Sequence, residues 1–128
     1  MKANITLLPG DGIGPEVVQS AALVLQAIGT KYGHQFTMQA HPIGGCAIDA
    51  FGQPLPEATQ QACLSADAVL LGAVGGPQWS DPKAAVRPEQ GLLQLRALLN
   101  VFANVRPVKV FARAAQFSPV KAERLDGV

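Results

Sequence analysis

The sequence is short of most features that mark a nucleic-acid-binding, membrane-embedded or disulfide-built protein. Lys and Arg total 10 against 9 Asp and Glu, a formal net charge of +1. No excess of one sign is available to attract nucleic acid or an anionic membrane. No apolar run approaches the roughly 20 residues a membrane-spanning helix needs; Ala68 to Val74 is among the longest. Cysteine is scarce, with 2 in 128 residues. Cys46 and Cys63 lack C-x-x-C spacing and have no histidine in a ligand pattern, which disfavours zinc or a disulfide and predicts two reduced, buried thiols. After one Lys the N-terminus runs into a strand-like segment broken by Pro9 and Gly10, without a signal-peptide apolar region, so the expected location is cytoplasmic. Charged residues make up only 15% of the chain. Part of the surface is therefore expected to be covered. No repeat, low-complexity tract or interdomain linker interrupts the sequence.

What is present is an alternation of strand and helix signals. Ile5-Thr6-Leu7-Leu8 reads as a buried strand, and Pro9 to Pro15 is a glycine-rich turn. Pro15 and Glu16 suit a helix N-terminus. The predicted helix runs to about Ile28 with Val17, Ala21, Val24 and Ile28 on one stripe, and Gly29 ends it. Gln35 to Ala40 alternates as a half-buried strand that His41 to Gly45 breaks. Asp49 to Pro56 reads as loop, and Glu57 to about Ala66 as a short helix. Ala68 to Ala73 has the continuous apolar run of a parallel strand covered on both faces. This order predicts an α/β layered fold with a mostly parallel sheet flanked by helices. Both glycine-rich stretches, Gly10 to Gly14 and Val74 to Trp79, follow strands and should lie at the carboxyl rim, where open α/β sheets bind ligands. The first turn is spaced G-x-G-x-G and has no acidic residue on a following strand. It therefore falls short of a dinucleotide fingerprint, and a tight structural turn explains it as well.

The segment from Arg87 to Pro107 is chemically mixed. If Gln90 to Leu99 is helical, Glu89, Leu92, Leu93 and Arg96 fall on one face at i, i+3, i+4 and i+7. A carboxylate, two leucines and a guanidinium suit neither a core stripe nor an ordinary solvent face. They suit a cleft wall for a small acid with an apolar branch; the plainer alternative is an amphipathic helix with a surface Arg. Arg106 brings a second guanidinium on the next segment, Val101 to Phe111, which reads as apolar and extended, with Pro107 marking an edge or a strand end. Two Arg forks can hold a dicarboxylate bidentately.

Four stretches together resemble the isocitrate/isopropylmalate family of β-decarboxylating dehydrogenases: Leu8-Pro9-Gly10-Asp11-Gly12-Ile13-Gly14-Pro15-Glu16-Val17, Gly72 to Trp79, Arg87 to Arg96, and Phe102 to Lys109. The second and third look most like the branch that oxidises 3-isopropylmalate. The resemblance implies NAD-dependent oxidative decarboxylation of (2R,3S)-3-isopropylmalate to 4-methyl-2-oxopentanoate in leucine biosynthesis, with Mg2+ or Mn2+ and a homodimeric enzyme. It implies that Arg96 and Arg106 hold the malate carboxylates, that Leu92 and Leu93 meet the isopropyl group, and that Glu89 sits near the nicotinamide. The loop from Gly76 to Glu89, with Gly76, Pro77, Gln78 and Trp79, would lie along NAD, and Ile13 would add a cofactor contact. Isocitrate would bury its third carboxylate against Leu92 and Leu93 without a partner, which disfavours it. Tartrate, other alkylmalates and homoisocitrate are the alternative substrates.

The resemblance covers residues 1–128 as the first part of a much longer family sequence, an incomplete domain. The third substrate arginine, the catalytic tyrosine and lysine, and the metal-binding aspartates are expected beyond Val128. Asp11, Asp49, Asp67, Asp81 and Asp126 are scattered and suggest no metal site. Without a metal and a general acid or base these residues can bind a dicarboxylate but cannot oxidise it, so the chain alone is expected to be inactive. A catalytically dead remnant or small-dicarboxylate binder is the second reading, and a generic phosphate-binding α/β module a third. Strand edges and apolar faces left open predict aggregation of the isolated chain.

Overall fold

The computed structural model describes residues 1–107 together with Phe117, Pro119, Val120 and Arg124. Its elements follow the predicted alternation: β1 (Lys2–Gly10), α1 (Gly14–Tyr32), β2 (Gln35–Ala40), α2 (Gly45–Phe51), α3 (Glu57–Ser65), β3 (Ala68–Ala73), a single 3-10 turn (Pro77–Trp79) and α4 (Pro88–Leu98). The three strands are parallel in the order β2-β1-β3. The register pairs Leu7 with Ala40 on one side and Leu70 on the other, and Gly10 with Ala73. Because β1 and β3 are neighbours and parallel, the two glycine-rich turns that follow them emerge side by side at the carboxyl rim.

Alternation along β1 divides its side chains between two layers. Thr6 and Leu8 face α3: the Thr6 hydroxyl donates to the Ala62 carbonyl at 3.0 Å. Leu8 joins Ile43, Leu55, Cys63 and Leu95 in the buried core, with Val69, Leu71, Val74 and Leu99 packed around them. Each fully buried Leu or Ile here contributes about 1.5–3 kcal/mol. The opposite face is covered by α1, which packs against all three strands. The approach is close because small residues line it. A Cβ on Gly72 would strike the Pro9 carbonyl, and one on Gly14 would overlap the same oxygen.

Six sequence expectations are corrected. Cys63 is buried as expected, but Cys46 is exposed, because α2 turns Gly45 and Ala47 inward instead. The first helix passes Gly29 and ends at Gly33, whose φ of 69° gives the left-handed cap. Gly29 is buried inside it instead, where a Cβ would stand 3.1 Å from the His34 carbonyl. The inward stripe is Gly14, Val18 and Gly29, not Val17, Val24 and Ile28, which are exposed. The helix is apolar on two sides, and the side with glycine wins because it lets the backbone approach the sheet. The span Asp49 to Pro56 is partly helical, within α2. Trp79 ends a 3-10 turn and is not in plain loop. Val101 to Pro107 carries no regular element, and Phe102 is 100% exposed; no strand among the described residues pairs with it. The rest of that expected segment to Phe111, and Asp126, lie outside the described residues.

Candidate functional site

The rim site is assembled around a residue that sequence reasoning passed over. Asp11 follows Gly10, whose φ of 72° turns the chain out of β1. The Asp11 backbone N–H donates to the Ala73 carbonyl at 2.7 Å, tying the end of β1 to the end of β3. Its side chain, in a residue only 3% exposed, accepts three backbone N–H groups. Oδ2 takes Gly45 and Gly75, each at 2.7 Å, and Oδ1 takes Cys46 at 2.8 Å. Gly45 and Cys46 open α2, so Asp11 supplies that helix with the N-terminal acceptor its own sequence lacks. Hydrogen bonds to a carboxylate are the stronger class. The only local signal was an Asp between two glycines at a strand end.

The second rim loop is built on this anchor. Gly75, with φ of 94°, follows β3 and is held by Asp11. Beyond it the Trp79 ring lies against Gly45, so close that a Cβ there would collide with the ring carbons. The indole N–H donates to Asp49 Oδ1 at 3.1 Å. Trp79 therefore closes the gap between this loop and α2. Cys46 sits beside Asp11, its thiol donating to the Ile43 carbonyl at 3.3 Å. Burial first, and then the Asp11 charge, push this thiol above the usual cysteine range.

The helix α4 supplies the third wall. Pro88 occupies its first turn, and the Gln90 side chain accepts the Arg87 N–H at 3.0 Å. Pro88, Gly91 and Leu95 are buried, and Gly91 lets the helix approach Pro54 closely. Glu89, Leu93 and Arg96 are consequently exposed, Leu93 at 63%, and Leu92 is half-buried. The chemically mixed face is thus an open face. Glu89 reaches back to the rim, where its Oε1 lies 3.2 Å from the position of a Cβ on Gly75. Its other oxygen is 3.6 Å from Arg87 Nε, an exposed pair of little energetic weight.

The residues expected at the site are therefore brought together unevenly. Glu89 meets Gly75, and Gly76 and Trp79 belong to the same loop. Ile13, 57% exposed, follows Gly12, which faces the Gly75 carbonyl. Pro77 and Gln78 are exposed in the 3-10 turn between them. Arg96 and Arg106 are both exposed, and among the described residues neither side chain has a hydrogen-bond or ion-pair partner. Among the described residues no group of three His, Cys, Asp or Glu could hold a metal ion, and no helix is long and apolar enough to cross a membrane.

Comparison with known proteins agrees with this architecture. A 3-isopropylmalate dehydrogenase from Rhodopirellula baltica is 54% identical over 127 residues, 99% of this chain and 35% of its own length. One from Bacillus licheniformis is 55% identical over 128 residues, 100% of this chain and again 35% of its own length. The chain thus spans about a third of the length of these relatives. Among solved structures, a β-decarboxylating dehydrogenase from Thermococcus kodakarensis superposes with a TM-score of 0.58 at 29% identity, over 76% of this chain and 26% of that one. The profile of the isocitrate/isopropylmalate dehydrogenases matches residues 4–128. By that match, and by a parallel α/β layer of the same type as its structural neighbour, the chain belongs to the isocitrate/isopropylmalate dehydrogenase family.

Proposed function

We propose that these residues form the N-terminal, incomplete-domain part of a dehydrogenase that oxidises 3-isopropylmalate with NAD and a divalent metal, in leucine biosynthesis. The observation that carries this reading is the open face of α4: Leu93 and Arg96 stand exposed on a helix whose Leu95 is buried. An exposed leucine beside a guanidinium with no partner among the described residues suits a ligand with an isopropyl branch and carboxylates. Arg96 and Arg106 clamp the malate carboxylates, each through two N–H donors. Leu92 and Leu93 cover the isopropyl group and keep water from it. Isocitrate would bring a third carboxylate to these leucines, where it would lose its hydration without gaining a partner.

The rim fits the nicotinamide end of NAD. Gly12 leaves its turn open, with no atom nearer than 4.0 Å to the position a Cβ would take. The Glu89 carboxylate stands over Gly75, between the substrate helix and the loop. NAD supplies the hydride acceptor when bound. Glu89 orients the nicotinamide side of the site, and Gly76, Pro77, Gln78 and Trp79, with Ile13 opposite, line the remainder. Mg2+ or Mn2+ would take its donors from residues outside the described set. The relatives' names support this substrate. The expected enzyme is a homodimer working in the cytoplasm.

The test is NADH formation, followed at 340 nm, by the native protein that contains these residues. It is supplied with NAD, Mg2+ and either 3-isopropylmalate, isocitrate or tartrate. A kcat/KM for 3-isopropylmalate at least about 100-fold above the others is expected. A preference for isocitrate or tartrate would overturn the assignment of Leu92 and Leu93.

A further inference from the structure

We infer that Asp11 is a positioning residue: through its three backbone contacts it sets the place of the Gly75–Trp79 loop, and with it the partner against which Glu89 rests. The inference rests on the proposed cofactor role of that loop, but its structural half stands without it.

Asp11 is buried and carries a carboxylate; among the described residues its three side-chain hydrogen bonds all come from backbone N–H groups and none from a cation. Two of these belong to α2 and one to the loop after β3. One oxygen, Oδ2, bridges Gly45 and Gly75 at 2.7 Å each. That shared atom fixes the separation of the two segments. The segments meet again further out, where Trp79 lies on Gly45 and bonds Asp49 of α2. The loop is thus pinned to α2 at two points, and Glu89 rests against Gly75, next to the inner one. Gly44 is part of the same fit. Its φ is 86°, and a Cβ there would collide with Asp11 Oδ2.

Asparagine has the size of aspartate but only one acceptor oxygen. In Asp11→Asn the amide NH2 must face a backbone N–H, either Cys46 or the Gly45/Gly75 pair. Trp79 is the only tryptophan among these 128 residues, and the native protein's emission, less that of the same protein carrying Trp79→Phe, reports this junction. The experiment compares Asp11→Asn with Thr6→Ala, which removes a part-buried hydrogen bond to the Ala62 carbonyl of α3, further back along β1 from the rim. Amide exchange at Gly75 and Trp79 emission are read first, below the unfolding transition of each variant. Asp11→Asn is expected to speed Gly75 exchange at least about 10-fold and to shift the emission, and Thr6→Ala to do neither. Unchanged exchange and emission in Asp11→Asn, or equal changes in Thr6→Ala, overturn the inference.

The second reading is the KM split in the native enzyme. Asp11→Asn should raise KM for NAD about 10-fold and leave KM for 3-isopropylmalate within about two-fold. If both KM values move together, Asp11 does not position the cofactor loop selectively and the inference fails. If the unsubstituted enzyme does not oxidise 3-isopropylmalate, the proposed function fails, while exchange and emission still decide the role of Asp11.

Discussion

Gly45→Ala should destabilise the protein, although glycine-to-alanine changes in helices normally do the opposite. Gly45 opens α2 and its φ is not in the left-handed region. On helix propensity alone, alanine would add about 0.5–1 kcal/mol. The added methyl, however, would overlap the Trp79 ring carbons. The ring must move, lose its packing on Gly45 and release its 3.1 Å bond to Asp49. Overpacking of this kind costs about 1–3 kcal/mol, so the net expectation is a loss of up to about 2.5 kcal/mol. Urea unfolding, followed by far-UV dichroism and by Trp79 emission, measures both the loss and the ring's displacement. A double-mutant cycle with Trp79→Ala isolates the cause. In that background the clash is gone, and Gly45→Ala should become stabilising by about 0.5 kcal/mol. The reasoning fails if Gly45→Ala stabilises the parent chain with unchanged emission, or if its effect has the same sign in both backgrounds.

Two leucines of α4, two positions apart, should behave oppositely. Leu95→Ala, in the buried core, is expected to cost about 2–5 kcal/mol, whereas exposed Leu93→Ala should stay within about 0.5 kcal/mol while weakening the preference for 3-isopropylmalate; thermal unfolding and the substrate comparison check the pair. The thiols should react slowly. Burial, with Asp11 as the second cause at Cys46, raises the Cys46 thiol above its ordinary 9.0, and burial alone raises Cys63. At pH 8 each folded thiol therefore holds its proton more than a free one does, and iodoacetamide labelling should lag behind that of the urea-unfolded chain. The same shift has a stability sign: between the unfolded and folded values the folded state binds more protons, so stability should fall as pH rises through 9. Equal labelling rates for folded and unfolded chain, or rising stability above pH 9, would contradict this.

Strands and helices whose cause is local were legible in the residues. Ala68 to Ala73 declared itself as a parallel strand, although at the edge of the described sheet it is at most half-buried, and the helical spacing from Gln90 found α4, which begins two residues earlier at Pro88. The mixed face of Glu89, Leu93 and Arg96 was recognisable because its composition fits no ordinary face, and the structure leaves it exposed. Elements whose cause is distant were not legible. Gly44 and Gly45 look like breakers, and α2 forms because Asp11 caps it from 34 residues away. On α1 two apolar stripes compete, and only contact with the sheet selects the one holding Gly14 and Gly29. Asp11 itself looked like one of several scattered acids, because its partners are backbone groups, which carry no sequence signature.

Among the described residues the sheet is all-parallel, and this shapes how the chain reaches this state. No two of its strands can be joined by a hairpin, so no ladder can start from a tight turn. Every strand pairing waits for an encounter between distant parts of the chain, the regime in which domains fold slowly. The Asp11 contacts are of the same kind, closing separations of 34 residues to Gly45 and 64 to Gly75. Closure entropy grows only logarithmically, so the longer separation costs about 0.6 kcal/mol more than the shorter. The rim is thus assembled from segments that meet late, and until they do, the uncapped start of α2 and the amide of Gly75 remain bonded to water.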